Sequence, residues 1–475
     1  MHALVDLRWL KPGYTGGIEI AARSFVNTLI QLDKVNTYTL LLRPEIRFDF
    51  DLKNHPNFRV QVCYGPRYYA VRFLAKFIKR KVSKPGFKRI LEQDTDAEIA
   101  ISLSGYSFED IRGWKNVLVL PDLQHEFMPQ FFDDQELSNR KKAFSASILH
   151  AGHICALSEF TRQKVLELYR IPEERISTVY LAPDPIFRPA SSNEILHDQN
   201  VLNKYGLAPG YLFFPAATWP HKNHHLILQA VAVLNRQSIQ KYLLVCTGPR
   251  KEAHQDIIQQ INELHLNDQV SFLGYCPFED LPSLYRQAGM LVFPSYYEGF
   301  GMPVLEAMAC GCPVVCSNRT SLPEIAGEAA MMIDPDSVVE LVQAIELLSS
   351  KSDLRDDIQR KGFERVKQFS WWKYTYQVVA AACKLSAHSV GFQFSENQND
   401  KLQLLGFQGK RILTKNIRVR MRVAQALEDW RMGNKLESLS RLSGAIMAAP
   451  IVVFYAVLFP ALRDKLLHIK MSNEF

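Results

Sequence analysis

Met290-Leu-Val-Phe-Pro-Ser-Tyr-Tyr-Glu298-Gly-Phe-Gly-Met-Pro303-Val-Leu-Glu306-Ala-Met-Ala-Cys-Gly-Cys-Pro-Val-Val-Cys316-Ser-Asn-Arg-Thr-Ser-Leu-Pro-Glu-Ile-Ala-Gly327 decides how the rest of the chain is read. An apolar strand (Met290–Phe293) runs into a glycine-rich loop, a helix opened by Pro303, and a second apolar strand (Pro313–Cys316). Proline suits a first helical position, where its missing N–H costs nothing and its φ is preset. Gly299 and Gly301 let the backbone approach a ligand closely, and the free amides of the helix start point back toward it. Glu298 lies in the loop and Glu306 about one turn into the helix, so both carboxylates can face one cleft at the C-terminal end of the strands. Open α/β sheets bind ligands at that end. The pattern suits a ligand bearing both phosphate and hydroxyl groups.

Working outward, apolar runs alternate with helical patterns. Before the stretch come strands at Tyr211–Phe214, Tyr242–Cys246 and Val270–Leu273, with helices at Leu226–Leu234 and Pro282–Ala288 between them. Further upstream are strands at Ala3–Val5, Thr37–Leu42, Phe58–Cys63, Ile99–Leu103, Val117–Leu120 and Ile176–Tyr180. Helices are expected from Ile18 to Leu32, over the basic Tyr69–Arg80, and from Ser158 to Tyr169. Such β-α alternation implies parallel sheets. Ser191–Asp198 reads as a polar linker and the first domain boundary. Downstream, Val338–Leu348, Leu354–Phe369 and Trp371–Lys384 read as helices. At 475 residues the chain is too long for one ordinary core, and two domains plus an extension is the natural reading.

The net charge of +7 is unevenly placed: from Ala387 onward there are 13 Lys/Arg against 7 Asp/Glu. A second basic cluster runs from Lys76 through Lys79, Arg80, Lys81, Lys84, Lys88 and Arg89. Clusters of this kind suit anionic membrane surfaces or polyanions, although a solvated helix face explains the second equally well. Ser443–Leu462 is uncharged and about as long as a bilayer core is thick. Pro450 and Pro460 favour a kinked, re-entrant or in-plane segment over a straight span, and a buried core helix is the alternative. The 8 cysteines form no C-x-x-C pair and read as small buried hydrophobes, neither a disulfide frame nor a zinc site. The N-terminus, with Asp6 and Arg8 and no long apolar run, does not read as a secretory signal.

Several further residues are candidates for chemistry, each with a structural alternative. Gly16 and Gly17 sit between a strand and a helix, where a Gly-Gly turn can hold phosphate or simply turn the chain. His125 follows a strand end with Asp122 and Glu126 beside it; a lone histidine is more often structural, but this cluster has active-site placement. Ser158, with Thr161 three residues on, is explained by helix capping alone. Lys222 stands after a strand and just before a helix, well placed to meet diphosphate oxygens. Gly248 ends another strand in a tight turn and is a donor-loop candidate.

Taken together, these residues resemble glycosyltransferase family 4 over roughly residues 1–384. The strongest part is E-G-F-G-M-P-V-L-E-A-M-A-C-G-C-P-V-V from Glu298, followed by Ser317-Asn318 and Ser321-Leu-Pro-Glu324. The resemblance implies an α/β, GT-B fold: two Rossmann-like domains facing a cleft. The C-terminal helical extension lies outside it, and its basic and apolar residues are what suggest membrane association. The expected layout is residues 1–190 as the acceptor domain, 200–368 as the donor domain, 369–384 as a helix crossing back to the first domain, and 385–475 as a basic tail. By the same resemblance Glu306 holds the nucleotide ribose, Glu298 lies near the donor sugar, and Phe300, Gly301 and Met302 offer backbone amides to sugar or phosphate. Lys222 would neutralise the leaving diphosphate. The family commonly adds an arginine some residues before that lysine; here the nearest candidate is His221. Gly16 and Gly17 match the first-domain glycine loop, and Asp122 and His125 the first-domain polar residues near the transferred sugar.

The resemblance therefore implies a retaining, mannosyltransferase-like enzyme without cofactor or metal. Its donor would be GDP-mannose or a UDP-hexose. The basic helix and the apolar tail, not the resemblance, suggest a lipid-linked glycan acceptor at an anionic membrane surface on the cytoplasmic side. No nucleic acid partner is implied. Two other readings share the architecture: a nucleotide-sugar epimerase, and a silent nucleotide-sugar-binding scaffold. A two-carboxylate hydrolase is a third, but it needs both glutamates flanking one bond.

Overall fold

The computed structural model describes residues 1–10, 17–43, 46, 49–52, 54–63, 96–108, 111, 114–237 and 241–386. Gly13 and Gly16, the basic helix expected over 69–80 and its charge cluster, and the tail from Ala387 with its apolar run 443–462 lie outside the described residues.

Two all-parallel sheets carry the chain. The first has the strands β1 (His2–Asp6), β2 (Thr37–Leu42), β3 (Phe58–Val62), β4 (Ile99–Ser102), β5 (Asn116–Leu120), β6 (His153–Ala156) and β7 (Ile176–Thr178), in the order β3-β2-β1-β4-β5-β6-β7. The second has β8 (Leu212–Pro215), β9 (Leu244–Thr247), β10 (Val270–Phe272), β11 (Met290–Phe293), β12 (Val314–Ser317) and β13 (Met331–Ile333), in the order β10-β9-β8-β11-β12-β13. Strands such as β4, β5, β11 and β12 are buried along their whole length, as expected where helices cover both faces of a parallel sheet. Strand order reverses between β1 and β4 in the first sheet and between β8 and β11 in the second. The second of these switch points places the loops after β8 and β11 side by side, in the crevice where doubly wound sheets bind ligands.

Beyond the second sheet, the helix Val338–Ser350 packs on His224–Gln237, and Ser352–Val366 packs on Met302–Ala309. The chain then returns to the first sheet. The helix Trp371–Leu385 lies against β4, β5 and β6, with Tyr374 edge-on to Phe25 at 6.0 Å between ring centres. Just beyond it, Ser386 Oγ donates to Glu98 at 2.6 Å. None of the 8 cysteines is in a disulfide, and all but Cys383 are buried. Among the described residues no helix is long and apolar enough to cross a membrane.

The polar linker expected at Ser191–Asp198 is a structured helix entry instead. Ser191 and Glu194 form a reciprocal capping box, and the helix Ile195–Tyr205 follows. That helix docks on Leu281–Gln287 through an ion pair: Arg286 Nε donates to Asp198 at 2.8 Å and Ser283 Oγ donates to it at 2.6 Å. The helix Asp134–His150 has no counterpart in the sequence reading. It is mostly polar, with Asp133 capping its start by accepting from Glu136 N–H at 2.8 Å and Phe144 and Ile148 reaching the core.

Candidate active site

The second switch point brings Lys222 and Glu298 together across 76 residues of sequence. After β8 a short 3-10 turn, Pro220–Lys222, ends at Asn223, whose left-handed φ of 60° launches the helix His224–Gln237. The Asn223 amide donates to the carbonyls of Pro294 (3.2 Å) and Pro335 (2.7 Å), pinning this turn to the loop after β11. Lys222 Nζ lies 2.5 Å from Glu298 Oε1 and 5.4 Å above the Phe293 ring. Their side chains are 17% and 12% exposed, so the pair is sheltered yet reachable. An ammonium held this way can exchange its carboxylate for a phosphate oxygen.

The Glu298 loop is fixed from the far side by the segment after β12. Glu298 N–H donates to Thr320 Oγ1 at 3.1 Å, while Ser321 Oγ donates to the carbonyls of Glu298 (2.9 Å) and Phe300 (3.0 Å). Thr320 adopts a φ of 58°, a costly conformation for a β-branched residue. Two glycines are required by contact. A Cβ on Gly299 would stand 2.3 Å from the Pro121 carbonyl oxygen in the loop after β5, so the ends of the two sheets touch here. A Cβ on Gly301, with φ 101°, would stand 2.5 Å from Leu322. The helix Met302–Ala309 then begins with Pro303 in its first turn, and the opening amides of any helix lack intrahelical acceptors. Phe300 is buried against the rings of Tyr180 and Phe369.

Glu306 projects from that helix into a different environment. Tyr285 Oη donates to Glu306 Oε2 at 2.7 Å. Burial pushes the Glu306 carboxyl up to about 7; nearby Asp184 adds to the rise and the Tyr285 hydrogen bond opposes it. The same burial, with Glu306 beside it, raises the Tyr285 hydroxyl well above its ordinary range. The two glutamates thus have separate partners, one cationic and one phenolic, and are not a matched pair on a single bond.

In the first domain, Asp122 accepts from Gln124 N–H at 2.9 Å, and its carboxyl is raised chiefly by burial, with Glu298 adding to the rise and Lys222 opposing it. The Asp122 Cβ lies where a Gly299 side chain would stand. His125, on the short helix Gln124–Phe127, is fully buried with its ring 4.5 Å from that of Phe144. Burial lowers its pKa to about 4, and neither ring nitrogen has a hydrogen-bond partner in the protein. His125 is therefore neutral at physiological pH. Ser158 caps the helix Glu159–Tyr169, accepting from Thr161 N–H at 3.1 Å and donating to Thr161 Oγ1 at 2.9 Å.

His221 is held neutral by burial and by the adjacent Lys222, with a pKa lowered to about 2, so it does not replace the arginine as a second cation. Gly248, with φ 117°, donates its N–H to the Gly274 carbonyl at 2.8 Å and is pressed against Ala216, which is reason enough for a glycine there. Gly17 opens the helix Gly17–Leu32. Among the described residues no group of three or more His, Cys, Asp and Glu could hold a metal ion.

With this geometry in view, the relatives are informative. Residues 202–365 match the family model described as Glycosyl transferases group 1. O-antigen chain mannosyltransferase B of Escherichia coli is 38% identical over 256 residues, which span 53% of this chain and 66% of that one. O-antigen chain mannosyltransferase RfbU of Salmonella typhimurium is 27% identical over 250 residues, 51% of this chain and again 66% of that one. In both cases the matched part falls just short of two thirds of the relative's length. Among solved structures, that of Anabaena Alr3699/HepE in complex with UDP and glucose superposes with a TM-score of 0.59, at 18% identity, over 81% of this chain and all of that one. At this identity the likeness speaks to the fold alone: GT-B, with two Rossmann-like parallel-sheet domains.

Four site residues escaped the sequence reading. Tyr285, Thr320 and Ser321 hold the two glutamates or their loop, and Glu324 reaches across to the first domain. Only the Ser321-Leu-Pro-Glu324 tetrapeptide, already part of the quoted signature, could have signalled the last two.

Proposed function

We propose that the chain is a retaining hexosyltransferase of glycosyltransferase family 4, moving mannose from GDP-mannose to a lipid-linked glycan in cell-envelope polysaccharide synthesis. The observation that carries this reading is the sheltered Lys222–Glu298 pair at the switch point of the second sheet, one helix start away from Glu306. The mannosyltransferases among the relatives support the sugar, and their O-antigen role supports the acceptor class. UDP-hexoses are the next donors to try.

In this mechanism Glu306 and Tyr285 receive the ribose hydroxyls, while Lys222 and the amides of Phe300, Gly301 and Met302 meet the diphosphate. As the bond from the anomeric carbon to the phosphate oxygen breaks, negative charge collects on the diphosphate, and a preorganised ammonium stabilises it. The acceptor hydroxyl attacks from the same face and gives its proton to the departing phosphate oxygen, which retains the configuration. Displaced from Lys222 by the diphosphate, Glu298 is free to accept from sugar hydroxyls. Asp122 and a neutral His125 complete the sugar's surroundings from residues 1–190, the acceptor domain on this reading. Residues 200–368 bind the donor, and residues 369–384 tie the two together. Lys222 and the helix start supply the neutralisation a metal would otherwise provide, so we propose metal independence. The basic tail 385–475 would hold the enzyme to the cytoplasmic face of an anionic membrane.

Transfer of labelled mannose from GDP-mannose to a membrane lipid extract tests this reading. Glu298→Ala should abolish transfer; unchanged turnover would overturn its assigned role. Conversion of free donor without acceptor would point to an epimerase instead.

A further inference from the structure

We infer that Glu324 is the positioning residue that clasps the two domains together and ties their closure to the donor loop. Glu324 lies on Leu322–Ala326 in the second domain, yet its carboxylate is spent on the first. Glu159 N–H donates to its Oε1 at 2.6 Å, Phe160 N–H to its Oε2 at 3.1 Å, and Tyr180 Oη to Oε1 at 2.7 Å. The two amides open the helix Glu159–Tyr169, where Ser158 already serves the Thr161 amide. First-turn amides have no acceptor within their own helix, so Glu324 supplies what the helix cannot, and its negative charge suits the helix dipole.

The clasp is built into the donor loop. Glu324 stands three residues after Ser321, whose hydroxyl holds the carbonyls of Glu298 and Phe300, and four after Thr320, which holds the Glu298 amide. Behind it, Arg365 donates to the carbonyls of Ile325, at 3.0 Å, and Glu324 while stacking its guanidinium over Phe369 at 5.1 Å. Tyr180 in turn touches the rings of Phe300 and Phe369. A shift of the Glu298 loop therefore moves the clasp, and a formed clasp sets the loop against Pro121 and Asp122. Ordering of the loop by donor favours closure, and closure favours donor by the same factor.

Amide hydrogen exchange and kinetics of Glu324→Ala test this, and only the kinetic half rests on the transferase reading. Hydrogen bonds to a charged group shift an equilibrium by about ten- to a hundred-fold. Exchange at Glu159 and Phe160 should speed up by that factor, with the interior amides Val165 and Leu166 of the same helix unchanged. The transfer kcat should fall by a similar factor, and GDP should bind more weakly by no more than that factor, because closure and donor binding are coupled. Tyr180→Phe, which removes one donor and keeps the ring, should give an intermediate result and serves should the alanine variant not fold. Unaltered exchange at Glu159 and Phe160, equal loosening throughout the helix, or GDP affinity and kcat both unchanged would each overturn the clasp. If the parent transfers nothing but the two amides still loosen, the transferase reading falls and the clasp stands.

Discussion

Replacing Glu306 by glutamine separates the stability cost of this buried acid from its use. In the folded chain its carboxyl titrates at about 7, against an ordinary value of 4.5. Between those two values the native state holds a proton that the unfolded chain has released. The contribution of this group to stability is therefore greatest below about 4.5, falls as pH rises, and is fully lost once the pH passes 7. A gap of about 2.5 pH units corresponds to a loss of about 3 kcal/mol. Glutamine keeps the shape and can still accept from the Tyr285 hydroxyl, but it carries no charge to desolvate. Urea unfolding at stepped pH should find Glu306→Gln more stable than the parent at pH 8, by up to about 3 kcal/mol, and level with it below about pH 4. The same variant should bind nucleotide more weakly, because a neutral amide is a poorer acceptor for ribose hydroxyls. Equal stability at pH 8 would refute the buried, proton-retaining carboxyl.

Other outcomes follow from the same contacts. Lys222→Met leaves Glu298 sheltered without its cation; unfolding should show a loss of about 2–3 kcal/mol, and transfer should drop by about two orders of magnitude. Thr320→Gly relieves a positive φ worth about 1 kcal/mol but removes the acceptor for the Glu298 amide. It should therefore melt no lower than the parent while turning over more slowly. His125→Phe keeps a ring against Phe144, and because His125 ionises at about 4 the pH–rate profile between pH 6 and 9 should keep its shape. Loss of a limb of that profile would show that His125 titrates in the working range.

The strands were legible because parallel sheets bury both faces, leaving apolar runs such as Leu291–Phe293 and Val314–Cys316 unbroken. The helix Ile195–Tyr205 was not, because it docks through a charge. Its Asp198 is 1% exposed while Ile195 and Leu196 are 64% and 68% exposed, the reverse of the pattern that periodicity detects. At the site, the types and local spacing of Glu298, Pro303 and Glu306 were readable in one stretch. The Lys222–Glu298 bond depends on strand order, and the Tyr285–Glu306 bond on contact between the helices Leu281–Gln287 and Met302–Ala309, which lie on either side of β11 in sequence, so neither is local. Glu324 was in plain view, but its role is set by the first domain, which no spacing in the second reveals.

The anomeric configuration of the product tests the proposed chemistry most directly. Purified full-length protein would be given GDP-mannose and a lipid-linked acceptor, and the new linkage read by the one-bond C1–H1 coupling in the NMR spectrum of the product. An α-mannosyl linkage from the α-configured donor is the expected result, absent in Glu298→Ala. A β linkage would contradict front-face transfer at the Lys222–Glu298 site.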